Sequence, residues 1–210
     1  MKKNIFVTAI MLIGVNLSVN AQINAFKVEG FSYIERGIKE VDIEKVENKS
    51  SKLVIPSNVT YNGITYKVNS IQDDVLKEDS LITVLSIPDR FSVKGAAFWG
   101  AKKLEEIHLG DTIELRDACF GCCMQLKKVV FRGKLYGRLE EAFGWTPSTM
   151  QRGFYFVSST PPTVIMRNNF HESVYKQVTL YVPANSVENY KNDSVWGKFK
   201  IEVWEPDKVQ

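Results

Sequence analysis

Apolar residues return every 22 positions through the middle of the chain, and this period constrains the fold more than any single motif. Leu76, Phe98 and Phe120 stand 22 apart, with Phe143 following 23 later. Ile82, Leu104 and Leu126 keep the spacing, as do Leu85, Ile107 and Val129, and then Ile87, Leu109 and Phe131. A fifth column, Val75, Ala97, Cys119 and Ala142, is small. A unit of this length has one apolar face too small to bury alone, so the units must stack and share a continuous core.

Within each unit Leu85-Ser86-Ile87, Ile107-His108-Leu109 and Val129-Val130-Phe131 alternate inward and outward, as a strand with one buried face does. Stacked, these strands form a parallel sheet with neighbours ~4.8 Å apart. Pro88, Gly110 and Gly133 follow the strands and turn the chain towards the aromatic column. The expected fold class is a leucine-rich-repeat solenoid: β-rich, with short helical and turn segments, an α/β repeat superhelix of period about 22–23 residues.

The strings LSIP (85–88), AAFWGAKKL (96–104), ACFGCCMQL (118–126) and EAF (141–143) resemble the repeat of BspA-like leucine-rich-repeat proteins. Residues 53–71 resemble that family's N-terminal rung, and 179–200 its C-terminal closing unit. The resemblance spans roughly residues 26–203. It implies a secreted or cell-surface role in attachment to host proteins, other cells or matrix. It also implies that Cys123 occupies a buried Cys position of the repeat.

Both ends can be read physically as well. Asn62-Gly63 between Val59-Thr60-Tyr61 and Ile64-Thr65-Tyr66 predicts a type I′ hairpin over 59–68, placed to cover the first rung. Leu180 and Val182 predict a last strand stopped by Pro183, followed by a short helix capped by Ser186 and running to about Asn192. Trp196, Phe199, Ile201 and Trp204 supply bulk to seal the apolar end. Phe143-Gly144-Trp145-Thr146-Pro147 breaks the column, so a loop or distorted rung is expected near 144–153. The resulting division is a leader over 1–21, an opening unit over 22–71, repeats over 72–157 and a closing unit over 158–210.

The leader is a secretory signal peptide. Met1-Lys2-Lys3 precedes an apolar run from Ile5 to Val15, and Val19-Asn20-Ala21 supplies the small residues for cleavage after Ala21. The run is too short for a helix spanning ~30 Å of bilayer, no later stretch is long enough, and no Cys directly follows the cleavage point to carry a lipid, the nearest being Cys119. The expected location is secreted, cell-surface or periplasmic. The chain's 27 Lys plus Arg against 24 Asp plus Glu give +3, of which Lys2 and Lys3 leave with the leader. The mature balance of +1 argues against nucleic acid as a partner.

Catalytic and cofactor chemistry finds little support. Cys119, Cys122 and Cys123 cluster, but Cys119 stands in the small buried column and free Cys packs as a small hydrophobe; a disulfide permitted by export and a zinc site are the alternatives. His108 lies outward and His171 is far along the chain, so a four-ligand site is hard to assemble. Ser173-Val174-Tyr175-Lys176 matches the Ser-x-x-Lys of penicillin-recognising hydrolases without its companion motifs. Glu105 and Glu106 could be proposed as a glycosidase pair, yet the period sets them beside Lys127 and Lys128 of the next rung, which reads as a solvated ion-pair ladder. No enzyme and no cofactor is expected.

Recognition is expected instead on the outward sheet positions. The candidate partner-binding residues are Ser86, Glu106, His108, Lys128, Val130 and Tyr155, with Val84 beside them. A protein partner on a host or bacterial surface is favoured, a glycan is the alternative, and the solenoid is expected to be a monomer. Trp99 and Trp145 could serve as sugar platforms or cover neighbouring turns. Asp79-Ser80-Leu81, Asp111-Thr112-Ile113 and Asp193-Ser194-Val195 resemble the acceptor for O-glycosylation in bacteria that carry this family.

Overall fold

The computed structural model describes residues 24–47, 49–137, 139–144, 151–162, 170 and 172–205. The leader, Trp145, Pro147 and His171 lie outside them. Fifteen strands run through the described chain: β1 (Ala25–Val28), β2 (Phe31–Gly37), β3 (Glu40–Val46), β4 (Lys52–Val54), β5 (Asn58–Tyr61), β6 (Ile64–Ile71), β7 (Val84–Ser86), β8 (Phe91–Val93), β9 (Glu106–Leu109), β10 (Thr112–Leu115), β11 (Lys128–Phe131), β12 (Lys134–Gly137), β13 (Arg152–Phe156), β14 (Val178–Val182) and β15 (Lys200–Val203). The helices are short: α1 (Leu139–Ala142), α2 (Glu172–Gln177) and α3 (Val187–Lys191), with 3-10 turns at Ala184–Ser186 and Trp196–Lys198.

The sequence columns become neighbours in a parallel sheet. Leu85 pairs with Ile107, and Ile107 with Val129, so a 22-residue step is one strand spacing. This first sheet runs in the order β4-β7-β9-β11-β13-β14-β15. Its next step, Val129 to Phe154, takes 25 residues, and the one after, Phe154 to Leu180, takes 26. The rung from Val129 to Phe154 is thus a longer one, with α1 where the preceding rung has a turn, while residues 145–150 of the expected irregularity lie outside the described residues.

A second sheet was not part of the sequence expectation. It runs β1-β2-β3-β6-β8-β10-β12, with β5 paired on β6, and its β6, β8, β10 and β12 are parallel. Its inward residues Phe91, Ile113 and Leu135 are themselves 22 apart and buried. The two inner faces enclose one core, from Phe26 to Phe199.

A third ladder joins the turns. The N–H groups of Leu76, Phe98 and Phe120 donate to the carbonyls of Ala97, Cys119 and Ala142 one rung on, at 2.8–2.9 Å. Asp74, Ala96 and Ala118 take left-handed φ of 59°, 53° and 56°, and Glu78, Gly100 and Cys122 take 54°, 65° and 54°. A Cβ in this region costs about 1–2 kcal/mol, and glycine escapes the cost. Cys122→Gly is therefore expected to raise stability by up to about 1 kcal/mol, seen as a higher denaturation midpoint. Its N–H bond to Gly144, at 3.2 Å, survives the change.

The ends differ from expectation in instructive ways. Asn62 (φ 50°) and Gly63 (φ 76°) form the predicted hairpin turn, but β6 enters the second sheet between β3 and β8, and the β1–β3 meander extends that sheet beyond it. Phe26 on β1 stacks on Tyr61 of the hairpin at 4.4 Å. At the other end β14 is not the last strand: β15 pairs beyond it. Ser186 does not cap the following helix, because the preceding 3-10 turn holds it in a right-handed helical conformation, and its hydroxyl donates to the Pro183 carbonyl at 2.6 Å. Trp196 and Phe199 do seal the core, at 1% and 5% exposure. Trp196 Nε1 donates to Pro162 O at 3.0 Å, and the Tyr190 hydroxyl reaches Ser158 O and Thr160 O, tying residues 158–162 to this seal. Trp204 stands elsewhere, on the outer face of the first sheet.

Candidate recognition face

Strand alternation sets two outward rows across the first sheet. One contains Lys52, Val84, Glu106, Lys128, Gly153, Thr179 and Lys200, and the other Val54, Ser86, His108, Val130, Tyr155, Tyr181 and Glu202. Five of the six predicted residues, Ser86, Glu106, His108, Lys128 and Tyr155, are half-buried on this face. Val130 is a correction. It occupies an outward position, but His108 and Tyr155 flank it in register and overtop the smaller side chain, leaving it 5% exposed and apart from the core cluster.

Glu106 organises the middle of the face. Its Oε1 receives Lys128 Nζ at 2.7 Å and lies 2.9 Å from His108 Nε2. Lys128 Nζ in turn sits 5.4 Å from the centre of the Tyr155 ring, within cation–π range. Tyr155 stacks on Tyr181 at 4.4 Å, and Trp204 meets Tyr155 edge-on at 5.2 Å. Burial raises the Tyr155 phenol above its ordinary pKa, and Tyr181, Glu106 and Glu202 add to the shift. His108, Glu106, Lys128, Tyr155, Tyr181 and Trp204 thus form one connected strip. The sequence reading missed its last two members. Tyr181 alternates with buried Leu180 and Val182, so its outward direction was legible; Trp204 was assigned to the seal by bulk alone.

The other chemistry-bearing residues take structural places. Lys127 Nζ lies 3.8 Å from Glu105, which together with Lys128 and Glu106 makes the expected ladder between rungs. Trp99 covers a turn: a Cβ at Gly121 would lie 2.4 Å from its ring. Asp79 and Asp193 hold local turns by accepting backbone N–H bonds, from Leu81 and Ile82 and from Val195 and Trp196, while Ser80 and Ser194 are exposed. Lys176 lies on α2, and the Ser173 side chain is outside the described set.

No disulfide joins Cys119, Cys122 and Cys123. Burial raises the Cys119 thiol well above its ordinary value and carries Cys123 to about 11. Cys123 Sγ faces the Phe98 carbonyl at 3.2 Å. Only Cys122 is half-buried. A thiol reagent at neutral pH is expected to label one cysteine in the folded protein and three after denaturation; two unreactive cysteines in the denatured chain would reveal a disulfide.

Strands stacked in parallel at a 22-residue step, with turns joined by their own ladder, are the architecture of leucine-rich-repeat proteins. The chain is similar in fold to a leucine-rich-repeat protein from Bacteroides capillosus, with TM-score 0.52, 20% identity, and coverage of 64% of this chain and 99% of that one. It also aligns with a leucine-rich cell surface protein from Faecalibacterium prausnitzii at TM-score 0.45 and 16% identity, covering 86% of this chain and 54% of that one. A leucine-rich-repeat protein from Bacteroides ovatus aligns at 0.36 and 14%, covering 85% and 76%. The first likeness is one of fold, and the fold is that of a leucine-rich-repeat protein. No protein-family model and no curated protein matches the chain. Among the described residues no helix is long and apolar enough to cross a membrane.

Proposed function

We propose that the chain is an exported, non-enzymatic recognition protein: a short leucine-rich-repeat solenoid that meets a protein partner, at a cell surface or in the surrounding medium, through the outer face of its first sheet. The observation that carries this reading is the connected strip His108–Glu106–Lys128–Tyr155, held on a seven-stranded sheet by ion pairs and ring contacts. Its backbone is braced by strand pairing on both sides, so it offers a pre-formed surface that loses little conformational freedom on contact. The leader over 1–21 supports export. Opening and closing units over 22–71 and 158–210 would protect the ends of a working monomer, and no cofactor is required.

The test is capture of partners from host and bacterial surface fractions with the mature chain. The His108→Ala/Lys128→Ala double variant is expected to bind an identified partner at least about tenfold more weakly. Unchanged affinity would remove this face from the reading.

A further inference from the structure

We propose that the C-terminal end of this face is a binding site for a neutral glycan, built from Tyr155, Tyr181 and Trp204. This goes beyond the protein-recognition reading, because it assigns a second ligand chemistry to the C-terminal end of the face, which shares only Tyr155 with the His108–Lys128 strip.

The rings are held in place. Tyr155 and Tyr181 are register partners on β13 and β14, with ring planes 7° apart. Gly153 lies beside them: a Cβ there would come within 2.4 Å of Tyr155 Cε2 and 3.0 Å of Tyr181 Cε2. Both rings can lie low over the sheet only because position 153 has no side chain. The Trp204 backbone N–H donates to Val182 O at 2.8 Å, and its indole stands 80° from the Tyr155 plane. The three half-buried side chains form an aromatic corner, in which little rotamer freedom remains to be lost on binding.

The surrounding charges choose the ligand. Lys128 pairs with Glu106 at 2.7 Å on one side of the tyrosines, and Lys200 pairs with Glu202 at 2.6 Å on the other. Each pair is locally neutral yet offers both donors and acceptors. A cationic side chain from a partner would find Lys128 already over the Tyr155 ring. An acidic ligand would find both lysines paired, and an apolar anchor would find Val130 covered. A pyranose suits what remains, since its C–H face packs on the Tyr181 or Trp204 ring, neither of which Lys128 covers, and its hydroxyls exchange hydrogen bonds with fixed polar groups. Trp99 is no rival platform, because its ring is already packed over Gly121.

Affinity electrophoresis of the mature chain through gels carrying mannan, β-glucan or galactan tests the proposal. At least one polysaccharide is expected to retard the protein. Tyr181→Ala and Trp204→Ala should each weaken binding about tenfold, Trp204→Phe should weaken it less, and Trp99→Ala should leave it unchanged. Far-UV circular dichroism and melting curves establish that each variant is folded. The proposal is overturned if none of the three polysaccharides retards the chain, or if Trp204→Phe and Tyr181→Ala, both folded, are retarded like the parent. It is also overturned if these residues bind only a protein partner that has been stripped of glycans. That last result would leave the recognition face standing and remove the glycan.

Discussion

Phe120→Ala is expected to cost about 3–5 kcal/mol, lowering the melting temperature by roughly 6–20 °C at about 2–4 °C per kcal/mol. Phe120 is fully buried and stands between Phe98 at 5.2 Å and Phe143 at 5.5 Å, stacked on both. Its removal therefore takes a partner from each neighbouring rung. The small column beside it cannot fill the gap, since Ala97, Cys119 and Ala142 are already buried with no longer side chain to swing across. The backbone has little freedom to collapse either, because the Phe120 N–H is bonded to Ala142 O and the Phe98 N–H to Cys119 O. Phe120→Leu, which leaves most of the volume occupied, should lose less than half as much. Since Phe98 and Phe120 share one contact, the double alanine variant should lose less than the sum of the two single ones. Strict additivity in denaturant titrations would show that the stacked column is not an energetic unit.

Much of this architecture was legible because period and burial express the same constraint. A residue that returns every 22 positions on a strand must face its copy one rung away, so Leu85, Ile107 and Val129 could be paired before any coordinates. The second sheet could have been read the same way from Phe91, Ile113 and Leu135, but three- and four-residue strands beside turn residues carry too few alternations to stand out. The left-handed turns were not legible, since Ala96 and Ala118 have no local preference for positive φ; the turn ladder imposes it. Arg152 was equally silent. Its guanidinium lies buried in the long rung and donates to Phe143 O at 3.1 Å and Cys123 O at 3.4 Å, a role that no period or alternation in the sequence carries. On the candidate face, alternation gave directions correctly but not exposure. Val130 points outward and is nonetheless covered, because exposure depends on neighbours from other strands.

Asp79→Ala is expected to cost about 2–4 kcal/mol, because it strands buried donors as well as breaking an ion pair. The Asp79 side chain is 2% exposed, and its Oδ2 receives Lys49 Nζ at 2.8 Å. Its Oδ1 accepts the Leu81 and Ile82 N–H groups at 2.9 and 2.8 Å, at the point where the chain enters the Ile82 column. One carboxylate therefore shapes a turn and ties it to the segment before β4. Asp79→Asn keeps an oxygen for the two N–H groups and loses only the attraction to Lys49, so it should cost about 1–2 kcal/mol. Burial is the largest single influence on the carboxyl and pushes its pKa up. The Ile82 N–H, Lys49 and the Leu81 N–H together outweigh burial and hold the pKa below the usual carboxylate value. A group lowered in the folded state contributes fully above its unfolded pKa of about 3.9 and loses that contribution as pH falls through the folded value. Glu47, lowered to about 2 by Lys27 and Lys45, adds to the same acid limb, so the parent curve alone does not isolate Asp79. The difference between parent and Asp79→Asn does. Their melting temperatures should be separated most at pH 5–7 and converge below about pH 4. A gap that stays constant down to pH 2 would mean that the carboxylate's charge is not what fastens this turn.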